Sequence, residues 1–229
     1  MSMPRSVLHR SKGLGNIAAR LVGILVALAS LLVLPGCWVY SLNPLYDTGI
    51  ARDPDVVFDQ ALIGAWGRLD GSCQWTLTVN TSPDAYQMTI APGQGCSDDE
   101  KKKSYEAHLV RVDTHRFLDV AARSEEVCDL CLPLHSIFLL AQEKSQEGES
   151  LTLTPLDITW MTQALNSKRA VLPHLPHQGP ARPSEVLRAS DAVYLTASST
   201  ELKKFVAKYA DDKAAFRADS EAVIKFKRK

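Results

Sequence analysis

The stretch Cys73-Gln-Trp-Thr-Leu-Thr-Val-Asn80, followed after Thr81-Ser-Pro-Asp84 by Tyr86-Gln-Met-Thr-Ile90, decides the fold. Cys73, Trp75, Leu77 and Val79 alternate with Gln74, Thr76, Thr78 and Asn80, and Tyr86, Met88 and Ile90 alternate with Gln87 and Thr89. A period of two places one set on a core face and the other on an outer face. Pro83 beside Asp84 is turn chemistry, so the two runs read as a β-hairpin with its turn near residues 82–83. Working outward, short strand patterns recur at 62–69, 104–112, 116–121, 134–142, 150–156 and 191–197. Asp113-Thr-His-Arg116 and the charged run 143–149 supply turns between neighbours. Eight short, mostly sequential strands predict an antiparallel barrel or sandwich, with an eight-stranded barrel favoured.

Two helices interrupt this series. Residues 157–166 bring Ile158, Met161 and Leu165 to one face, which predicts a short inserted helix, followed by a Pro- and His-containing connection over 171–184. Ser198-x-x-Glu201 is a capping box ahead of Leu202, Phe205, Val206 and Tyr209, which predicts a C-terminal amphipathic helix over 199–210 with Phe205 inward. The basic end, 225–229, reads as a frayed tail.

Composition narrows the function classes. The chain of 229 residues has 26 Lys+Arg and 26 Asp+Glu, with 45% hydrophobic residues. A neutral balance argues against nucleic-acid binding, and the apolar content excludes a disordered chain. The balance is uneven: residues 1–36 hold Arg5, Arg10, Lys12 and Arg20 and no acid, leaving 22 basic against 26 acidic residues in 37–229, a net of −4. A basic start, an uncharged run over 21–34 and then Pro35-Gly36-Cys37 form the pattern of a cleaved signal peptide. The competing reading, an uncleaved transmembrane helix, has to span the Pro35-Gly36 break. Gly13-Leu-Gly15-Asn-Ile-Ala18 mimics a dinucleotide loop but follows no strand pattern.

Leu34-Pro-Gly-Cys37 resembles the lipobox of bacterial lipoproteins. That resemblance implies cleavage between Gly36 and Cys37, acylation of Cys37, and a membrane anchor facing the periplasm. Trp38, rather than Asp, follows the cysteine, which favours the outer membrane in a Gram-negative source. Residues 37–57 then read as lipid anchor and extended tether, and 58–229 as the barrel domain.

From Cys37 onward the chain also resembles a group of bacterial lipoproteins without assigned function. The resemblance rests on Ser41-Leu-Asn-Pro-Leu-Tyr46, Val57-Phe-Asp-Gln-Ala-Leu-Ile-Gly-Ala-Trp66, Tyr105-Glu-Ala-His-Leu-Val-Arg111, Leu134-His-Ser-Ile-Phe138 and Tyr194-Leu-Thr-Ala197. It supplies no catalytic residue. Gly64-Ala-Trp66 fits the G-x-W that opens the barrel in lipocalin-like proteins, where the Trp plugs the closed end; an ordinary core Trp is the plainer reading of the same residue.

Four cysteines remain: Cys73, Cys96, Cys128 and Cys131. Outside the cytoplasm an even number reads as disulfides, and the hairpin favours Cys73–Cys96, leaving Cys128–Cys131. A redox dithiol at Cys128-x-x-Cys131 and a four-thiolate zinc site are the alternatives; the first lacks a strand–helix context, the second a second C-x-x-C. His108 and His135 sit in strand patterns, and Pro176 between His174 and His177 disrupts helical ligand geometry. With no G-x-S-x-G, H-E-x-x-H or P-loop, no catalytic residue, metal or cofactor is assigned. Three functions stand: an envelope interaction or assembly module, a lipocalin-like carrier of a hydrophobic small molecule and, disfavoured by the absent motifs, an enzyme whose catalytic residues come from distant positions. Large inward residues (Trp66, Trp75, Tyr86, Met88, Phe138) filling the barrel favour the first; an open cavity favours the second.

Overall fold

Alternation along the chain becomes a closed wall. The computed structural model describes residues 38–68, 75–81, 85–96, 101–122, 134–146, 148–175 and 192–229; of Trp75 only the backbone is described. The chain divides into two compact units, Met1–Gly36 and Cys37–Lys229, and every described residue belongs to the second. The strands are β1 (Val39–Ser41), β2 (Val56–Val57), β3 (Gly64–Arg68), β4 (Trp75–Thr81), β5 (Tyr86–Pro92), β6 (Lys103–Val112), β7 (His115–Ala122), β8 (His135–Ser145), β9 (Gly148–Pro155), β10 (Val193–Leu195) and β11 (Ile224–Arg228). Helix α1 spans Ile158–Asn166 and α2 spans Ser199–Tyr209. Strands β3 to β9 pair with their neighbours in sequence, and β11 pairs with both β9 and β3. All these pairings are antiparallel, and they close an eight-stranded barrel.

The expected hairpin is β4–β5, but its register differs. Thr81 lies opposite Tyr86 and Trp75 opposite Pro92, so the connection is centred between residues 83 and 84. Leu77 and Val79 face the core at 0% and 4% exposure, while Asn80 is exposed. Pro92, which has no N–H to donate, sits at the strand end where the ladder stops.

Three expectations need correction. The eighth barrel strand is β11, not 191–197. Ile224-Lys-Phe-Lys-Arg228 is itself period-two, and Phe226 is buried at 2% between Leu151 of β9 and Arg68 of β3 in register. The basic end is therefore wall, not a frayed tail. Residues 193–195 instead form β10, which runs parallel to β1 outside the barrel, while β1 pairs with β8.

Nor is 38–57 an extended tether. It is a strap bound along the barrel's outer face: β1 joins β8, β2 takes the edge of β6 at Val110 and Leu109 where β5 has ended, and Leu45 is wholly buried. A strap with buried apolar side chains and a strand at each end gains more by packing than by staying solvated.

The helices cover the same outer wall. Asp157 caps α1, accepting from Trp160 N at 2.8 Å. Ser198 and Glu201 form the expected capping box on α2. Met161, Leu202, Phe205 and Val206 are buried in one cluster with Val110, Val112 and Phe117 from β6 and β7, so Phe205 packs inward as its spacing predicts. The domain thus has two cores, one inside the barrel and one between its wall, the strap and the helices.

Candidate functional site

A single construction joins the turn ahead of β3, Trp66 and Arg228. The short 3₁₀ turn Gln60–Leu62, with Asp59 accepting from Ala61 N at 2.9 Å, leads into β3. Trp66 is fully buried and donates its indole N–H to Leu62 O at 3.0 Å. Arg228 lays its guanidinium over the Trp66 ring, 4.2 Å from the centroid. The same guanidinium donates to Ile63 O at 2.9 Å and to Ala61 O, and its Nε donates to Glu149 at 2.5 Å. Hydrogen bonds from Lys144 and Arg228 hold the Glu149 carboxyl below its ordinary range. Planar, fixed-fork Arg suits a site that needs both stacking and several donors. Gly64 has φ +134°, and a Cβ there meets Arg228 Nη1 at 2.8 Å, so this position requires glycine. Gly64 and Trp66 thus share this construction with Arg228, a partner that the sequence reading missed. The signal was the alternation of Ile224-Lys-Phe-Lys-Arg228, obscured by its charge.

The barrel interior is occupied by side chains. Leu77, Met88, Ala107, Leu109, Leu118, Leu140, Leu151, Leu153 and Phe226 are each 5% exposed or less, with Tyr86 at 2% and Phe138 at 7%. Residues lining an open ligand chamber stay accessible; these do not. Eight strands enclose a space that side chains alone can fill.

Polar chemistry gathers outside, under the strap. Asp119, 1% exposed on β7, accepts from Leu45 N at 2.5 Å through one carboxylate oxygen and pairs with His135 Nδ1 at 2.6 Å through the other. The strap and β8 are thereby tied to one buried carboxylate, each of whose oxygens has a hydrogen-bond partner. A second hub holds the strap's far half. Asp53 accepts from Asp47 N at 2.6 Å and Asp55 N at 2.9 Å, and Lys203 of α2 reaches Asp53 at 2.7 Å and Asp55 at 2.5 Å. Burial raises the Asp53 pKa, but Lys203 and the two N–H donors outweigh it and hold it below the ordinary value. Burial likewise lowers Lys203, and the two carboxylates more than reverse that, raising it. Asp119, Asp53 and Lys203 carried no motif, because Leu45 lies 74 residues from Asp119 and Lys203 lies 150 residues from Asp53.

Two clefts flank the strap. One, of about 680 Å³, runs along Tyr46–Asp53 and Val56–Phe58 to Tyr86 and includes exposed Ile50 and Phe58. The other, of about 490 Å³, lies over Glu106, His108, Asp119, Ala121 and His135, with Pro44 and Tyr46 as its wall. Tyr46 packs on His108, ring centroids 4.1 Å apart, and burial followed by the charges of Asp119 and Glu106 pushes its hydroxyl up to about 12.

The remaining nominated residues divide cleanly. Gly36, Cys37, Cys73, Cys128 and Cys131 lie outside the described residues, as does His177. Cys96 is in the disulfide-bonded form, and its sulfur accepts from Gly93 N at 3.3 Å. Its partner is not among the described residues. His174 pairs through Nδ1 with Leu172 O at 2.8 Å. Among the described residues no group of three or more His, Cys, Asp or Glu is placed to hold a metal, and no helix is long and apolar enough to cross a membrane. The closed antiparallel eight-stranded wall with its two helices is a barrel of lipocalin-like architecture. Set against protein-family models, curated proteins and solved structures, the chain matches none.

Proposed function

We propose that this chain is a bacterial envelope lipoprotein, cut after Gly36 and acylated on Cys37, whose lipocalin-like barrel docks to another envelope protein. The observation behind docking, rather than carriage of a hydrophobic molecule, is the filled interior. The basic, acid-free residues 1–36 and the lipobox-like Leu34-Pro-Gly-Cys37 support the anchor. Acyl chains hold by about 0.8 kcal/mol per buried CH₂, so more than one chain makes a stable anchor. Trp38 O already accepts from Val193 N at 3.2 Å, so the folded domain begins one residue after the anchor. The outer membrane is the favoured address, with the domain facing the periplasm.

The pairing Cys73–Cys96 belongs to this reading. A bridge closing a loop of about twenty residues contributes about 3 kcal/mol. Non-reducing peptide mapping is expected to link Cys73 with Cys96; a Cys73–Cys128 or Cys73–Cys131 peptide rejects the pairing.

The deciding experiment is purification from the native host, followed by mass spectrometry. Acyl mass on Cys37 is expected, and an intact Met1 terminus in the membrane form refutes the anchor. Native spectra are expected to show a stoichiometric protein partner. A lipid-sized mass retained by the domain replaces docking with carriage.

A further inference from the structure

The outer core takes no buried residue from β9, β11, β3, β4 or β5, so the outer face of these five strands lacks the cover that strap and helices give β6 to β8. Phe226, Leu151, Trp66, Leu77 and Met88 point into the barrel, and alternation turns their neighbours out. On β11 those neighbours are Lys225 and Lys227, and Lys229 continues the row. All three are exposed, and about 7 Å separates each from the next. Every other outward position on the five strands is Gly, Ala, Ser, Thr, Asn or Gln. The described face holds no acid.

Room among the short side chains lets the lysine stems lie along the wall. Lys227 Cε is 3.6 Å from where a Cβ on Gly148 of β9 would stand, and Lys229 Cε is 3.0 Å from the same position on Gly67 of β3. The Lys229 ammonium donates to Thr76 Oγ1 of β4 at 2.6 Å. None of the three lysines has an ion-pair partner among the described residues. Glu149 is taken by Lys144 and Arg228. Glu143 of β8 lies opposite Ser150, which lies opposite Lys227, so its strand is two away, about 10 Å. Counting a carboxylate at the chain end still leaves the face positive, on a stretch, 37–229, whose net charge is −4. Over α2 and the turn after it the signs are mixed, Lys204 and Lys208 standing with Glu201 and Asp211. Nothing on the lysine wall encloses a small anion, whereas a wide anionic surface meets all three ammonium groups at once.

We infer that this wall is the face the domain turns toward a membrane of anionic phospholipid, with Lys225, Lys227 and Lys229 on the headgroup phosphates. The inference rests on the proposed anchor at Cys37. The next residue, Trp38, packs on Phe138 of β8 with ring centroids 6.0 Å apart, and β8 is two strands from β11. With residues 38–57 bound as a strap, the anchored domain has no slack to leave the surface, and one of its faces must meet it. A lysine close to an anionic leaflet contributes about fivefold to association. Three on one wall select that face over the mixed charge elsewhere. The strap and helix side is left for a protein partner.

The test couples the compact unit Cys37–Lys229 through the Cys37 thiol to maleimide-bearing lipid, so an anchor is present whether or not the cell attaches one. Peptide mapping confirms coupling at Cys37 alone. Vesicles of phosphatidylglycerol are compared with vesicles of phosphatidylcholine, and acylation of each lysine by a neutral amine reagent is followed by mass spectrometry. Lys225, Lys227 and Lys229 are expected to react more slowly on phosphatidylglycerol by about fivefold or more, with Lys204 and Lys208 unchanged. Salt at about 1 M, where the screening length is about 3 Å, is expected to remove the difference. Lys225→Gln combined with Lys227→Gln, both at exposed positions, is expected to return Lys229 to its phosphatidylcholine rate. Equal rates for the three lysines on both lipids, equal slowing of Lys204 and Lys208, or slowing that survives the double variant overturns the inference. Slowing that appears only after envelope proteins of the host are added assigns the wall to a protein and overturns it too. Failure of the anchor reading shows separately, as an unacylated Cys37 in protein from the host.

Discussion

The two sides of the barrel wall solve different problems. Inside, side chains from eight strands meet with almost no polar atom among the described residues, and the Arg228 guanidinium lies over buried Trp66. Outside, the wall is covered by a strap and two helices, and the cover is fixed by buried carboxylates, Asp119 and Asp53. The inner core is built to be full. The outer core is built around hubs that must be satisfied, and the clefts lie beside them. Function in a lipocalin-like shape is easily sought in the chamber; here the available chemistry is on the outer surface.

The comparison is broken most severely by removing residues 224–229. Without β11 the barrel has two open edges at β9 and β3, and Trp66 loses the guanidinium above it. Loss of cooperative urea unfolding is expected. Trp66→Ala, which removes the buried ring beneath Arg228, is expected to cost about 3–5 kcal/mol in the same assay. Gly64→Ala tests the geometry of this construction alone. With φ at +134° and Arg228 in the way, it is expected to cost about 1–3 kcal/mol. The outer side is probed by pH. Asp53 has a lowered folded pKa, so its contribution is complete above the unfolded value and disappears as pH falls through the folded one. Lys203 has a raised pKa, so its share is present below the unfolded value and is lost as pH rises through the folded one. Asp53→Asn is expected to flatten the acid limb of the stability profile, read from urea midpoints, while Trp66→Ala shifts the whole profile without changing that limb.

What the sequence disclosed follows the range of the interactions. The hairpin, α1 and the Ser198–Glu201 box are local, and local patterns name them. The strand count came out at eight with one member misassigned. Val193–Leu195 is apolar enough to look like wall, whereas Ile224–Arg228 hides its alternation among lysines. The strap was invisible for a different reason. Nothing near Leu45 announces that its N–H will meet Asp119, 74 residues on, or that Asp53 will meet Lys203, 150 residues on. Of the site residues, Gly64 and Trp66 were legible and Arg228 was not. His135 was legible as a strand histidine, but its bond to Asp119 depends on the pairing of β7 with β8.

The barrel interior is filled by side chains, and the proposed docking surface lies outside it. Titration of the mature protein with a fluorescent fatty-acid probe tests this most directly. The account predicts no saturable one-to-one binding, and no change on Ala107→Leu, a substitution inside the barrel. One-to-one binding that Ala107→Leu abolishes would contradict it, because it requires a chamber where the structure places side chains.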